Sequence, residues 1–195
     1  MSVSQVQIVN LALLKFGNIS IQAITDATPQ ARVANTLWDI IRDEVLYSYP
    51  WNFALKRETL STPSVVEPEF GFDYKFILPT DCLRVWELSE TDADWTVEGG
   101  ELYTSNEECN VRYIAKITDV SLFTPAFITC FATRLAAELC PRLSDNKSLR
   151  AALIQEFDGT IRQAYKLNAI EGNPPRHKDE QDLSKGNLSW QTFGR

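Results

Sequence analysis

One proline divides the chain into two kinds of pattern. In the stretch SYPWNFALKRETL, Ser48 to Leu60, a segment with helical spacing stops at Pro50 and an alternating segment begins a few residues later. Upstream, Thr28-Pro29 predicts a helix start: threonine caps the free amides, and proline takes the first helical position, where its missing N–H costs nothing. Val33, Leu37, Ile40, Ile41 and Val45 then line one face, and the residue before Pro50 is pushed out of helical geometry, so this helix ends near Tyr47 or Ser48.

The same logic organises the rest. Val6, Val9, Leu13 and Phe16 predict an earlier helix over about Val3 to Phe16, ended by Gly17. From Phe53 the period moves toward two, and ALKRETLS, YKFILP, LRVWELSE, DWTVEGG, ELYTSN and CNVRYIAKI read as five or six short strands. Gly99-Gly100, between WTVE and ELYT, supplies the positive backbone angles of a two-residue hairpin loop. STPSVVEPEFGF, with two prolines and a glycine, reads as an exposed loop. Thr124-Pro125 repeats the helix-start signal. Phe127, Ile128, Phe131, Leu135 and Leu139 face a core until Pro141 ends that helix soon after, and a fourth helix runs from the capping candidate Asp145 to Gly172.

Amphipathic helices separated this way bury their stripes only by reuniting. The expected fold is therefore α+β: a four-helix bundle of two N-terminal and two C-terminal helices (1–50 and 118–171), an inserted antiparallel β module (51–117), and a flexible C-terminal tail (172–195).

Composition narrows the function. A chain of 195 residues with formal charge −7 is long enough to bury its own core. It is poorly suited to holding nucleic acid by counterion release, which needs clustered Lys and Arg. Cys82, Cys109, Cys130 and Cys140 form no CxxC pair and the single His177 lies in the polar tail, so zinc-type spacing is absent. The cysteines read as free, core-filling thiols. With no basic, cleavable start and no apolar run of about 18 residues, the expectation is a soluble, unexported protein without cofactor or metal.

Catalytic signatures are also missing: there is no GxSxG, GxxxxGK[ST], HExxH or GxGxxG. Paired carboxylates remain a formal option, with Asp81, Glu87, Glu98 and Glu101 as candidates for a hydrolase, though strand and turn charges are the simpler account. Lys56-Arg57 and Arg84-Val85-Trp86 hint weakly at single-strand binding. Five Trp, six Tyr and ten Phe instead favour assembly, because large rings outside a helical core commonly anchor interfaces. Pro50, Trp51 and Phe53 are expected to form the joint: Trp51 and Phe53 point the same way as the strand begins and wedge the β module against the bundle. In the tail, Leu188, Trp190, Phe193 and Arg195 form an apolar-tipped segment that either docks on a partner or lashes back onto the chain's own core.

The succession LLKFGNISI, then YPWNFALKRETL, then YKFILPTDCLRVWEL resembles the head-to-tail adaptor, or tail tubular protein A, family of short-tailed bacteriophages. The matching residues are Trp51, Phe53 and Ala54 before the first strand, and Tyr74, Leu78, Pro79, Asp81, Cys82, Leu83, Arg84 and Val85 in the next strands. The likeness runs more loosely over about residues 3 to 170. It implies a virion protein, made in the host cytoplasm, assembling as a twelve-copy ring between the portal protein and the tail nozzle protein and lining the DNA exit channel, with no sequence-specific nucleic acid and no membrane as partner. No motif residue carries over the wall-degrading activity credited to some relatives.

Overall fold

The computed structural model describes residues 3–61, 70–90, 94–144 and 146–172. Ser4 opens helix α1 (Gln5–Leu14) with a reciprocal capping box to Gln7. Gly17, at φ 70°, closes it: its N–H bonds Leu14 O and the Asn18 N–H bonds Leu13 O, each at 3.1 Å, the paired bonds of a Schellman ending. Helix α2 (Pro29–Tyr47) and helix α3 (Pro125–Leu143) start as expected, with Thr28 and Thr124 capping and proline in the first turn.

Two boundaries differ from expectation. Pro141 lies inside α3, which continues to Leu143. A proline removes the bond to the carbonyl four residues before it and leaves later donors intact, and the Ser144 N–H still reaches Cys140 O at 2.9 Å. Helix α4 (Lys147–Gly172) is capped by Asn146, whose Oδ1 accepts from the Leu149 N–H at 3.0 Å; Asp145 falls outside the described residues.

Helix α3 is the hub. Sustained helix–helix contact joins it to α1, to α2 and to α4. Its sequence explains this, because Cys130, Ala132, Thr133, Ala136, Ala137 and Cys140 are fully buried along with Phe127, Phe131, Leu135 and Leu139. Small residues around the helix let neighbours approach from several sides, and a helix apolar nearly all round belongs at the centre. Charges reinforce the hub: Arg134 reaches Glu44 on α2 at 3.0 Å and Glu138 at 2.6 Å, and Glu138 meets Arg150 of α4 at 3.3 Å.

The middle of the chain forms two separate three-stranded antiparallel sheets. Strands β1 (Leu55–Leu60), β6 (Cys109–Ala115) and β3 (Cys82–Leu88) make one, in the order β1-β6-β3. Strands β2 (Tyr74–Ile77), β5 (Glu101–Thr104) and β4 (Trp95–Glu98) make the other, in the order β2-β5-β4. All six segments read as strands are strands, and the hairpin glycines sit at φ 60° and 87°, the angles a primed two-residue turn needs. Strand β3 departs from simple alternation. Its register against β6 shifts once between Cys82 and Arg84 and again between Val85 and Glu87, so Leu83 and Trp86 are bulged residues. The second shift lets Val85 and Leu88, three apart, both reach the buried face at 8% and 7% exposure.

Helix α2 links helices to sheet through contacts with β3 and β6. Asp43 of α2 pairs with Lys116, just past β6, at 2.9 Å, and with the buried Arg42 at 2.8 Å.

Candidate functional site

The Pro50 junction is built by three helices converging on one tryptophan. Trp51 is fully buried, and its indole N–H donates to Val45 O of α2 at 2.9 Å. Its ring meets Phe127 of α3 edge-on at 5.1 Å and Tyr165 of α4 at 5.6 Å, the arrangements aromatic pairs prefer. Phe53 does not lie in a strand, as its spacing from Trp51 had suggested; Asn52–Ala54 is a 3-10 turn and β1 starts at Leu55. Phe53 still converges on Phe127, at 5.0 Å, and on Phe123, at 5.7 Å. Pro50 is held through its carbonyl, which accepts from Asn168 Nδ2 at 3.3 Å.

Asn168 is the residue sequence reasoning missed. It sits on the buried stripe of α4, 6% exposed, and clamps the turn: its Oδ1 accepts from the Asn52 N–H at 2.9 Å, and its backbone carbonyl accepts from Asn52 Nδ2 at 2.7 Å. The available signal was a lone asparagine in step with Leu153, Phe157, Ile161 and Ala164, since a polar residue on an apolar stripe needs a partner. Tyr165 beside it stacks on Tyr49 at 4.0 Å.

The four candidate carboxylates do not form a catalytic pair. Asp81 accepts from Lys56 Nζ at 2.5 Å and lies 3.1 Å from the Tyr113 hydroxyl, which also faces Glu58 at 3.2 Å. That hydroxyl has one proton to share between two acids. Burial pushes Asp81 up, but the bonds from Lys56 and Tyr113 and the lysine charge outweigh it and hold the carboxyl below its usual range, the reverse of what a general acid needs. Burial first, then Asp81 and Glu58, raise the Tyr113 phenol. Glu87 is paired with Arg112 at 2.7 Å. Glu98 and Glu101 face each other across the hairpin, and Glu101 is engaged by Lys75 at 3.4 Å.

The two basic motifs separate in the fold. Lys56 and Arg57 point to opposite faces of β1: Lys56 opposes Tyr113, while Arg57 opposes Arg112. There Arg57 borders a groove of about 290 Å³ with Glu87, Asn110 and Arg112. Arg84 and Trp86 are brought together, with the Arg84 guanidinium 5.0 Å from the Tyr47 ring and 5.3 Å from the Trp86 ring.

The four cysteines are free, and Cys109, Cys130 and Cys140 are buried. Burial pushes the Cys82 and Cys109 thiols up to about 11, so they remain protonated and unreactive near neutrality. Among the described residues no group of His, Cys, Asp or Glu has the makings of a metal site, and no helix is long and apolar enough to cross a membrane. Leu188, Trp190, Phe193 and Arg195 lie outside the described residues.

A family model described as tail tubular protein matches residues 6–120. The chain belongs to the tail tubular protein family. No match is found among curated proteins. As a tail tubular family member the chain is a structural protein of the phage virion tail. The matched span carries α1, α2, the Trp51 junction and both sheets, and it ends before the hub helix α3. The residues that carry the sequence resemblance fall at structural positions inside it: Trp51 and Ala54 are buried in the junction, Tyr74 and Arg84 pair with neighbouring strands, and Asp81 lies in the turn just before β3.

Proposed function

We propose that this protein is the head-to-tail adaptor of its virion, assembling as a ring between the portal protein and the tail nozzle protein and lining the channel through which DNA leaves. The observation that carries this reading is the tail tubular family match over residues 6–120. Two features support it. Large exposed apolar residues lie on separate parts of the surface, among them Leu14 and Ile19 at the end of α1, Ile40 and Tyr47 on α2, and Ile77 on β2. A closed ring needs two different complementary patches per subunit, since a rotational contact is heterologous. The net charge of −7 suits a lumen that repels the phosphate backbone and keeps DNA sliding.

In this reading Pro50, Trp51 and Phe53 set the angle between helices and sheets, which fixes the shape of a ring subunit. Leu188, Trp190, Phe193 and Arg195 dock the C-terminal segment on the portal or a neighbouring subunit. The ring has twelve copies in the virion, and because the tail binds only a portal already in place, subunits associate only weakly in solution and are mainly monomeric before assembly. The test is to mix purified protein with portal rings of the same phage and image the product. A second ring of density beneath the portal is expected; portal rings with no added density would refute the adaptor role.

A further inference from the structure

The surface holds one preorganised aromatic–basic patch and one acidic–apolar patch, on different sheets. The first is made by the bulge in β3. Regular pairing would make Trp86 an ordinary strand position; as the bulged residue it is re-aimed, and its ring stands beside Arg84 while 42% exposed. Tyr47, at the end of α2 and 51% exposed, also lies against the guanidinium, at 5.0 Å. Ile40, two turns back along α2, extends the patch. Arg84 has no ion pair among the described residues, and its Nε is buried without a hydrogen-bond partner. A guanidinium in contact with two rings has less rotamer freedom to lose on binding, which favours it as a receptor for a carboxylate. Trp, Tyr and Arg are also the residue types that dominate binding energy at protein interfaces.

The second patch lies on β2-β5-β4. Ile77, 72% exposed, stands in one cross-strand row with Glu101 and Glu98, and residues in such a row share a face. Glu101 is already engaged by Lys75. Glu98 has no hydrogen bond or ion pair among the described residues. The patch therefore offers an apolar side chain flanked by a free carboxylate, the complement of the first in both charge and apolar content.

We infer that these patches are the two halves of one contact between copies of this chain: Glu98 and Ile77 of one copy seat against Arg84, Tyr47 and Trp86 of the next. The inference rests on the ring reading and gives that ring its subunit-to-subunit contact. Because the halves differ and lie on separate sheets, the contact is heterologous and propagates from copy to copy, as a ring requires.

Charge reversal tests it. Both Arg84→Glu and Glu98→Arg are made in the full chain; Glu98 is exposed, so its variant leaves the thermal midpoint unaltered, whereas Arg84→Glu gives up the ring contacts of a half-buried guanidinium and its retained fold is checked by circular dichroism. Each alone weakens self-association on the order of 30-fold, the scale of an interface hot spot, read by sedimentation velocity over a concentration series and by the number of copies bound per portal ring. Mixing the two variants restores association, because each then meets its opposite charge; so does the double variant R84E/E98R. Single variants that associate like wild type overturn the contact. So does R84E that self-associates normally but no longer binds portal, since the patch then faces a different protein. Wild type that self-associates through Arg84 and Glu98 in solution but never binds portal upholds the contact while refuting the adaptor role. Wild type that self-associates neither in solution nor on the portal overturns the contact itself.

Discussion

Trp51 concentrates more of this molecule into one side chain than any other residue at the Pro50 junction. It is fully buried, donates to α2 and packs against rings of α3 and α4. Trp51→Ala is expected to cost about 3–5 kcal/mol, read from the midpoint of urea unfolding. Trp51→Phe keeps a ring in the cluster but loses the bond to Val45 O, a net loss of about 1 kcal/mol from that bond, because Val45 O also accepts from Ser48 Oγ at 2.7 Å. Equal losses for both variants would mean the indole bond, not the packing, secures the junction. Asp81 gives a pH signature. Its folded pKa is depressed, so its contribution is present above the unfolded value of 3.8 and is lost as pH falls through the lower folded value. Asp81→Asn should therefore destabilise the protein near neutrality and flatten the acid limb of the stability curve below about pH 4. An unchanged acid limb would show that Lys56 and Tyr113 do not hold this carboxylate in solution.

At the scale of elements, the helix starts were legible because Thr-Pro is a local device: a cap and a fixed backbone angle act within one turn, whatever packs around them. The hairpin at Gly99-Gly100 was legible for the same reason. Three things were not. The 3-10 turn at Asn52–Ala54 is too short to show a period. The bulges at Leu83 and Trp86 are decided by which residues of β3 must face inward beside β6, and the alternation of LRVWEL cannot reveal that. Asn168 looked like one more position on a helical stripe until the turn it clamps folded against it. Asn168→Ala removes the acceptor for the half-buried Asn52 N–H and the donor to Pro50 O, for an expected loss of about 1–3 kcal/mol. Hydrogen exchange should show faster opening at Asn52 and along the end of α4, with α1 unaffected. Uniform acceleration across all helices would mean that the clamp is part of the global core.

For the whole molecule, the division into a helical part and a β part remains a proposal, and so does the role of the segment after Gly172. Truncation there separates the two readings of the tail. If it is a docking element, the shortened protein keeps its thermal midpoint and loses portal binding. A fall of several degrees in the midpoint with portal binding retained would instead mark a segment lashed onto its own core. By itself the sequence determined what is local: four helices, five or six strands, the Thr-Pro caps of α2 and α3, the Gly99-Gly100 turn, the lack of metal or nucleophile motifs, and the packing residues that resemble a tail adaptor. Tertiary structure alone decided what depends on residues far apart. It made α3 the hub, because small side chains matter only where another helix comes to meet them. It split the strands into two sheets, because edge pairing is a choice among partners that alternation does not encode. It also brought Arg84 within reach of both Tyr47 and Trp86, because a bulge and a helix end, far apart in the chain, arrive at the same place on the surface.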